Sequence, residues 1–310
     1  GNHEIWPVNQ YRGPVYDSWL YDAAVEAYGP NLPEDAQSTM AYGGYYQARA
    51  RPGLRVISLN SNYFVDDNFW LLANLTDAYD QLNWFADVMR QVSSLNEKAI
   101  IICHASVHEW NSDLADAFLS IAEQYQTNIV NYFMGHTHYN QYQALHDSKG
   151  HPMAVTFIGG SIVPFTAVNP GFQEYSYSRD EVAASNPSYT YLVKSAVSHW
   201  LDLNQANAAN DTDAQWPIQR FDMAAEYGLP DLSPASMATL SSQYSTNSTL
   251  YTAYVNSQFK GYVPKSGGPS AESIACLTST NTGKEYHACL HKAGMKEKKI
   301  QKARETESLC

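Results

Sequence analysis

The sequence predicts an α/β fold built on a mixed sheet, and three observations predict it. Short β-branched or continuously apolar runs at Leu54–Leu59, Ala99–Cys103 and Ile129–Met134 alternate with amphipathic segments of helical period. Two further runs, Gln141–His146 and Met153–Ile158, flank a polar turn at Asp147–Gly150 and read as an antiparallel pair. The chain has 310 residues, 44% hydrophobic and 16% charged, which is enough apolar material for a sizeable core and excludes wholesale disorder.

Taken in chain order, Trp19–Tyr28 reads as a short helix with Trp19, Ala23 and Ala27 on one face, stopped by Pro30 and Pro33. Pro52-Gly53 introduces the strand Leu54–Leu59. Thr76 or Asp77 can cap a helix running to about Leu95, with Leu82, Phe85, Met89 and Val92 on its apolar face. Ala99–Cys103 (AIIIC) has the continuous apolarity of a strand covered on both faces. Asp113–Gln126 repeats the helical period with Leu114, Phe118, Ile121 and Tyr125 inward, and Ile129–Met134 is the next strand. Strands and helices thus alternate first and the hairpin follows, the order of an α/β core. After about Asn204 the pattern changes to helices and polar loops, and Ser266–Ser270 (SGGPS) has the composition of a linker. The division expected is a first domain over residues 1–200, a helical subdomain over 201–265, and a linker with a basic tail over 266–310.

The net charge of −12 argues against a basic nucleic-acid-binding face. It is unevenly spread. Residues 284–310 hold seven Lys/Arg against four acids, a net of +3, so the other 283 residues carry 12 against 27, a net of −15. No run of about 18 apolar residues exists, so no transmembrane helix is expected. Asn74, Asn210 and Asn247 each open an N-x-S/T sequon, compatible with glycosylation on a secretory route. Four cysteines are too few for a disulfide scaffold. Cys103 falls in an apolar run and reads as a buried thiol. Cys276 and Cys289 bracket a short polar loop, Leu277 to Ala288, which suits a local disulfide better than a zinc site, since no C-x-x-C accompanies them.

The residues that carry chemistry follow the strands. AIIIC is followed at once by His104, and IVNYFM by Gly135-His136-Thr137-His138. The chain opens Gly1-Asn2-His3-Glu4, which has the look of a strand-end loop whose strand lies upstream. Loops at strand C-termini converge on one rim of an α/β sheet, where ligands bind. Such loops would gather Asn2, His3, His104, His136 and His138. Imidazole nitrogens with an amide oxygen suit zinc, iron or manganese and not calcium. Against this, a lone histidine after a strand is more often a hydrogen-bonded residue of no special role. The H-x-H pair and the three coincident strand ends are what tip the balance.

Gly-Asn-His-Glu, a strand-end His and Gly-His-x-His, in this order, resemble the C-terminal signatures of calcineurin-like metallophosphoesterases. The resemblance narrows to acid sphingomyelinase-like phosphodiesterases through Gly53–Asn60 (GLRVISLN), Asn68–Leu72 (NFWLL), Asn74–Asp77 (NLTD), Gln81–Trp84 (QLNW), Asn169–Gly171 (NPG), Leu203–Asn207 (LNQAN) and Tyr227–Leu229 (YGL). It runs from residue 1 to about 260. It implies a β-sandwich flanked by helices, incomplete here at its N-terminal strands, with a helical C-terminal subdomain. It implies two zinc ions, with Asn2, His104 and His136 on one and His138 on the other. His3 would be a catalytic histidine beside the phosphate, stabilising charge or protonating the leaving group, and Glu4 would orient a neighbour. The complete enzyme would hydrolyse sphingomyelin at a membrane surface, to ceramide and phosphocholine, in a secreted or lysosomal setting.

The departures are as informative. The family's Asp-x-His and Gly-Asp ligand motifs, and its saposin-like domain, lie upstream of Gly-Asn-His-Glu. The chain is therefore expected to be a C-terminal portion that binds at most one zinc weakly and is inactive alone. Where the family has Pro-Pro-Gly after the strand-end His, this chain has Ala105–Trp110 (ASVHEW). His108 and Glu109 there could touch substrate, although a plain polar loop is the simpler reading. The alternatives are a phosphodiesterase of nucleotide or glycerophosphodiester substrates, and a non-catalytic homologue that survives as a binding module.

Overall fold

The structure, a computed structural model, describes residues 1–73, 78–181, 189–208, 218–265 and 267–295. It is mixed α/β, as the sequence predicts, and divides into two units. The first is Gly1–Met134 with Asp180–Thr190 and Thr282–Lys284; the second is Gly135–Arg179 with Tyr191–Asn281 and Glu285–Cys310. Among the described residues, no helix is long and apolar enough to cross a membrane.

In the first unit, α1 (Pro14–Tyr28) and α2 (Glu34–Gly43) precede the strands β1 (Tyr46–Arg51) and β2 (Leu54–Ser58). Then come α3 (Gln81–Ser94), β3 (Lys98–Ile102), α4 (Ser112–Gln124) and β4 (Ile129–Met134). β1 pairs antiparallel with β2, and β2, β3 and β4 run parallel, with Ile57 opposite Ile101 and Ile101 opposite Tyr132. Each parallel step is bridged by a helix, as crossover connections require. The predicted inward faces of the two crossover helices are largely the buried ones. Leu82, Phe85, Met89 and Val92 of α3 and Leu114 and Phe118 of α4 are buried. Ile121 and Tyr125 are only half-buried. Phe85 and Phe118 stack with centroids 5.3 Å apart, and the edge of Phe118 meets Trp110 and Tyr132. These contacts fix the helices over the sheet whose C-terminal edge bears His104.

Two local expectations change. α1 begins at Pro14, because Pro suits the first helical turn and the Asp17 carboxylate accepts from the Arg12 and Gly13 amides at 2.7 and 2.8 Å. Its Trp19, Ala23 and Ala27 face is exposed; Asp17 and Tyr21 are buried instead. β3 is not covered equally on both faces either. Ala99 and Ile101 are fully buried, whereas Ile100 and Ile102 are half-buried. The helix expected to start at Thr76 or Asp77 is described from Gln81, and residues 74–77 lie outside the described residues.

The second unit opens with the hairpin β5 (Gln141–His146) and β6 (Pro152–Ile158), antiparallel as predicted. Asp147 closes its turn by accepting from the Lys149 and His151 amides. β7 (Gly171–Glu181) and β8 (Tyr189–Leu201) are long strands that the sequence pattern does not announce. α5 (Leu203–Ala208), β9 (Ile218–Asp222), α6 (Met223–Tyr227), α7 (Pro234–Gln243), α8 (Ser248–Gln258), α9 (Ala271–Ser279) and α10 (Gly283–Lys292) complete the chain. The presence of β9, antiparallel to β8, corrects the expectation of helices and loops alone after Asn204. Its sequence, IQRFD, is too polar to signal a strand. Tyr142, Tyr244 and Ser241 tie β5 to α7 through buried hydroxyl bonds. A disulfide joins Cys276 of α9 to Cys289 of α10, and Leu277, Tyr286 and Leu290 pack around it. The stretch between these cysteines, expected as a polar loop, is instead most of a helical hairpin whose Leu277 and Tyr286 are buried.

Candidate active site

β3 delivers Cys103 and His104 to the end of the parallel strands. The Cys103 amide donates to the Phe133 carbonyl of β4, which extends the ladder one residue beyond the strand. The turn that follows is held from both sides. The Ala105 amide donates to Ser61 Oγ at 2.8 Å, and the Trp110 indole N–H donates to the Ala105 carbonyl at 3.1 Å. His104 therefore leaves a fixed backbone. Burial pushes the neighbouring Cys103 thiol up, so it stays protonated.

Asn2 reaches His104 from the chain start. Asn2 is 3% exposed, and its Oδ1 accepts from His104 Nε2 at 2.8 Å. Two features fix this segment. The Tyr11 phenol, pushed up by burial, donates to the Gly1 carbonyl at 2.5 Å, and the Asn9 amide donates to the Asn2 carbonyl. Gly1 lies over the imidazole: a Cβ there would stand 3.0 Å from His104 Cε1, tighter than ordinary contact. A larger residue at this position would require the His104 ring to shift.

His3 is exposed and lies on the wall of a cleft of about 1390 Å³. Trp6, Tyr16, Trp19, Phe69, Trp70 and Leu72 supply much of its apolar lining, with Trp6 87% and Leu72 89% exposed. Arg12 also lines it, its guanidinium 4.5 Å from the Trp70 ring centroid and 5.6 Å from that of Tyr16. Glu4 lines the same cleft.

His136 and His138 belong to the second unit, directly after β4. Both are half-buried and both hold positive φ, 71° and 65°. The turn is tied down by Thr137, whose Oγ1 donates to Gln141 Oε1 at 2.8 Å and whose amide donates to the Gly135 carbonyl. The His138 carbonyl accepts from Lys260 Nζ at 2.9 Å and from the Ser161 amide at 3.2 Å. Burial pulls the Lys260 ammonium down to about 8.

The remaining predicted residues fall as follows. His108 sits in a single helical turn, Val107–Glu109, where Glu109 Oε2 accepts from the Ser106 amide; a Cβ on Gly283 would come within 2.2 Å of the His108 carbonyl. Asn247 is exposed and caps α8 through its Oδ1. Asn74, Asn210 and the basic run after Met295 lie outside the described residues. Tyr11, Arg12 and Lys260 are absent from the sequence-based expectation. No local motif marks them, because their partners are distant in the chain or scattered around a cleft.

The donor set is chemically suited to zinc: an imidazole nitrogen and an amide oxygen already converge at Asn2 and His104. Among the described residues, no group of three or more His, Cys, Asp or Glu side chains is placed to hold a metal ion.

No protein-family model matches the chain. Individual proteins do. Sphingomyelin phosphodiesterase of Bos taurus is 28% identical over 300 residues, covering 94% of this chain and 47% of that protein. Sphingomyelin phosphodiesterase 2 of Caenorhabditis elegans is 29% identical over 280 residues, covering 84% and 43%. Cyclic GMP-AMP phosphodiesterase SMPDL3A of Mus musculus is 29% identical over 284 residues, covering 84% and 60%. The chain spans about half the length of the curated relatives it matches. By the order of its strand-end motifs and by similarity along most of its length, the chain is a homologue of the acid sphingomyelinase-like phosphodiesterases.

Proposed function

We propose that this chain is the histidine-bearing part of a zinc-dependent phosphodiesterase that hydrolyses sphingomyelin to ceramide and phosphocholine at a lipid surface. The observation that carries the reading is the Asn2–His104 pair at the end of β3, with His3 next to Asn2 on the wall of an aromatic cleft. Asn2, His104 and His136 would hold one zinc and His138 a second. When bound, zinc supplies Lewis-acid stabilisation of charge on the phosphoryl group. The protein's own residues do the rest. His3 donates a proton to the departing alkoxide oxygen. Arg12 places a fixed positive charge on the cleft that an anionic diester enters. Trp6, Trp19, Phe69 and Leu72 offer apolar area to acyl chains, and indoles suit the boundary between lipid and water.

A second reading, hydrolysis of a nucleotide diester, is favoured by the similarity to the cyclic GMP-AMP phosphodiesterases. The aliphatic members of the cleft lining, Ile5, Val8 and Leu72, support the lipid reading over a stacked base. The test is turnover of sphingomyelin in vesicles and of a cyclic dinucleotide by the native protein, each with and without a chelator. Chelator-sensitive release of phosphocholine is the expected result. Turnover of the dinucleotide alone would transfer the assignment to the second reading. Turnover insensitive to the chelator would remove zinc from it.

A further inference from the structure

Lys260 is 1% exposed, and among the described residues its ammonium meets two backbone carbonyls and no carboxylate. Its Nζ donates to the His138 carbonyl at 2.9 Å and to the Ser161 carbonyl at 3.3 Å. A buried ammonium without a counter-charge opposes folding, and a methionine of similar length would fill the same space without that cost. Stability alone does not account for the lysine.

The surroundings are shaped to admit it. A Cβ on Gly160 would fall 2.7 Å from Lys260 Nζ, and one on Gly171 would fall 3.0 Å from its Cδ. The Asn169 amide donates to the Lys260 carbonyl at 2.9 Å, and Asn140 joins the Gln258 and Ser257 carbonyls to the Gly160 amide. Lys260 itself holds a φ of 50°. A network of backbone bonds thus directs one ammonium at the carbonyl of His138. That residue is in turn held at a positive φ of 65°, which few residues other than glycine adopt, although histidine does so more often than most. Such conformations persist where the surroundings over-determine them.

We propose that Lys260 is a positioning residue: its hydrogen bond to the His138 carbonyl fixes the left-handed peptide at His138 and so sets the direction of the His136 and His138 imidazoles. The conformational part of this inference stands on the geometry alone. Its consequence for metal rests on the proposed zinc role of those histidines.

The experiment compares the whole chain with its Lys260→Met variant in three measurements. They are thermal melting, backbone 13C shifts at His138, and zinc affinity by titration with the metal alone. The expected result has three parts. The melting temperature is equal or higher, because a buried unpaired cation is gone. The positive-φ shift signature at His138 is lost. Zinc binds at least tenfold more weakly. A lysine with a purely structural role would give the reverse, a lower melting temperature with unchanged shifts and affinity. A folded variant that keeps the His138 shifts overturns the inference. If Lys260→Met does not fold, Lys260→Leu takes its place, since it removes the same donor with a shorter apolar side chain; the same shifts and affinity decide. Wild-type protein that binds no zinc refutes the metal reading and leaves the shift comparison to judge Lys260 separately.

Discussion

Asn2 and His104, 102 positions apart, meet through a 2.8 Å hydrogen bond between an amide oxygen and an imidazole nitrogen. Each is placed by its own surroundings. His104 is set by the β3 ladder, Ser61 and Trp110, and Asn2 is set by the Tyr11 phenol acting one residue away. Tyr11→Phe removes that phenol while keeping the ring, and should lower stability by about 1 kcal/mol. It should also reduce phosphodiesterase activity more than that loss of folded protein explains. Equilibrium unfolding and initial rates on one preparation check both halves.

His3 is the proposed proton donor, and its exposure separates chemistry from folding. In the full-length native protein, His3→Ala should lower kcat by about 10²- to 10⁴-fold, the usual worth of a positioned acid. Stability should stay within about 0.5 kcal/mol of wild type, as for most surface substitutions. A melting curve and a rate on a chromogenic phosphodiester suffice. A rate within tenfold of wild type would remove His3 from the chemistry.

The cleft makes a prediction that divides lipid from soluble substrates. Trp6→Ala with Leu72→Ala removes two of its most exposed apolar side chains. Turnover of sphingomyelin in vesicles should fall at least tenfold, while turnover of a small soluble diester should change less than twofold. Equal losses on both substrates would show that the cleft does not discriminate for lipid.

The disulfide Cys276–Cys289 closes a loop with a sequence separation of 13. Cross-linking a loop near that size limits the unfolded chain by about 3 kcal/mol. Replacing both cysteines by alanine should lower stability by that order in denaturant titrations. The affected hairpin carries none of the candidate site residues, so activity at a temperature where the variant is folded should be retained.

His146 provides a pH signature. Burial is the largest influence on its imidazole and lowers its affinity for protons, while Glu285 and Asp147 oppose this. The folded state therefore binds a proton less readily than the unfolded chain. The associated stability is present above the ordinary histidine value of about 6.5 and is lost as pH falls through the lower folded value. Wild type should lose more melting temperature than His146→Gln between pH 7.5 and 5. An equal loss in both would show that burial does not govern His146.

Much of the site's framework is legible in the sequence because it is local. An apolar pentad followed by histidine specifies a buried strand and what stands at its end, and β3 with His104 is found there. Hairpin β5–β6 is legible for the same reason, through alternation and a turn rich in polar residues. The inward side of α1 is not. Trp19, Ala23 and Ala27 look like a core stripe, but burial is decided by partners far along the chain, such as Tyr63, whose hydroxyl meets that of Tyr21 at 2.5 Å. Lys260 is illegible for the same reason. A lysine in a polar stretch reads as surface, and its carbonyl partners lie 122 and 99 positions away.

The left-handed backbone at His136 and His138 has a consequence for how this protein would respond to selection for heat resistance. Each such residue carries on the order of 1–3 kcal/mol of conformational strain that glycine would not. Glycine at either position is therefore expected to give a hardier protein with an emptier site. A screen that rewarded thermal survival alone would discard these histidines early, and one that also required catalysis would keep them.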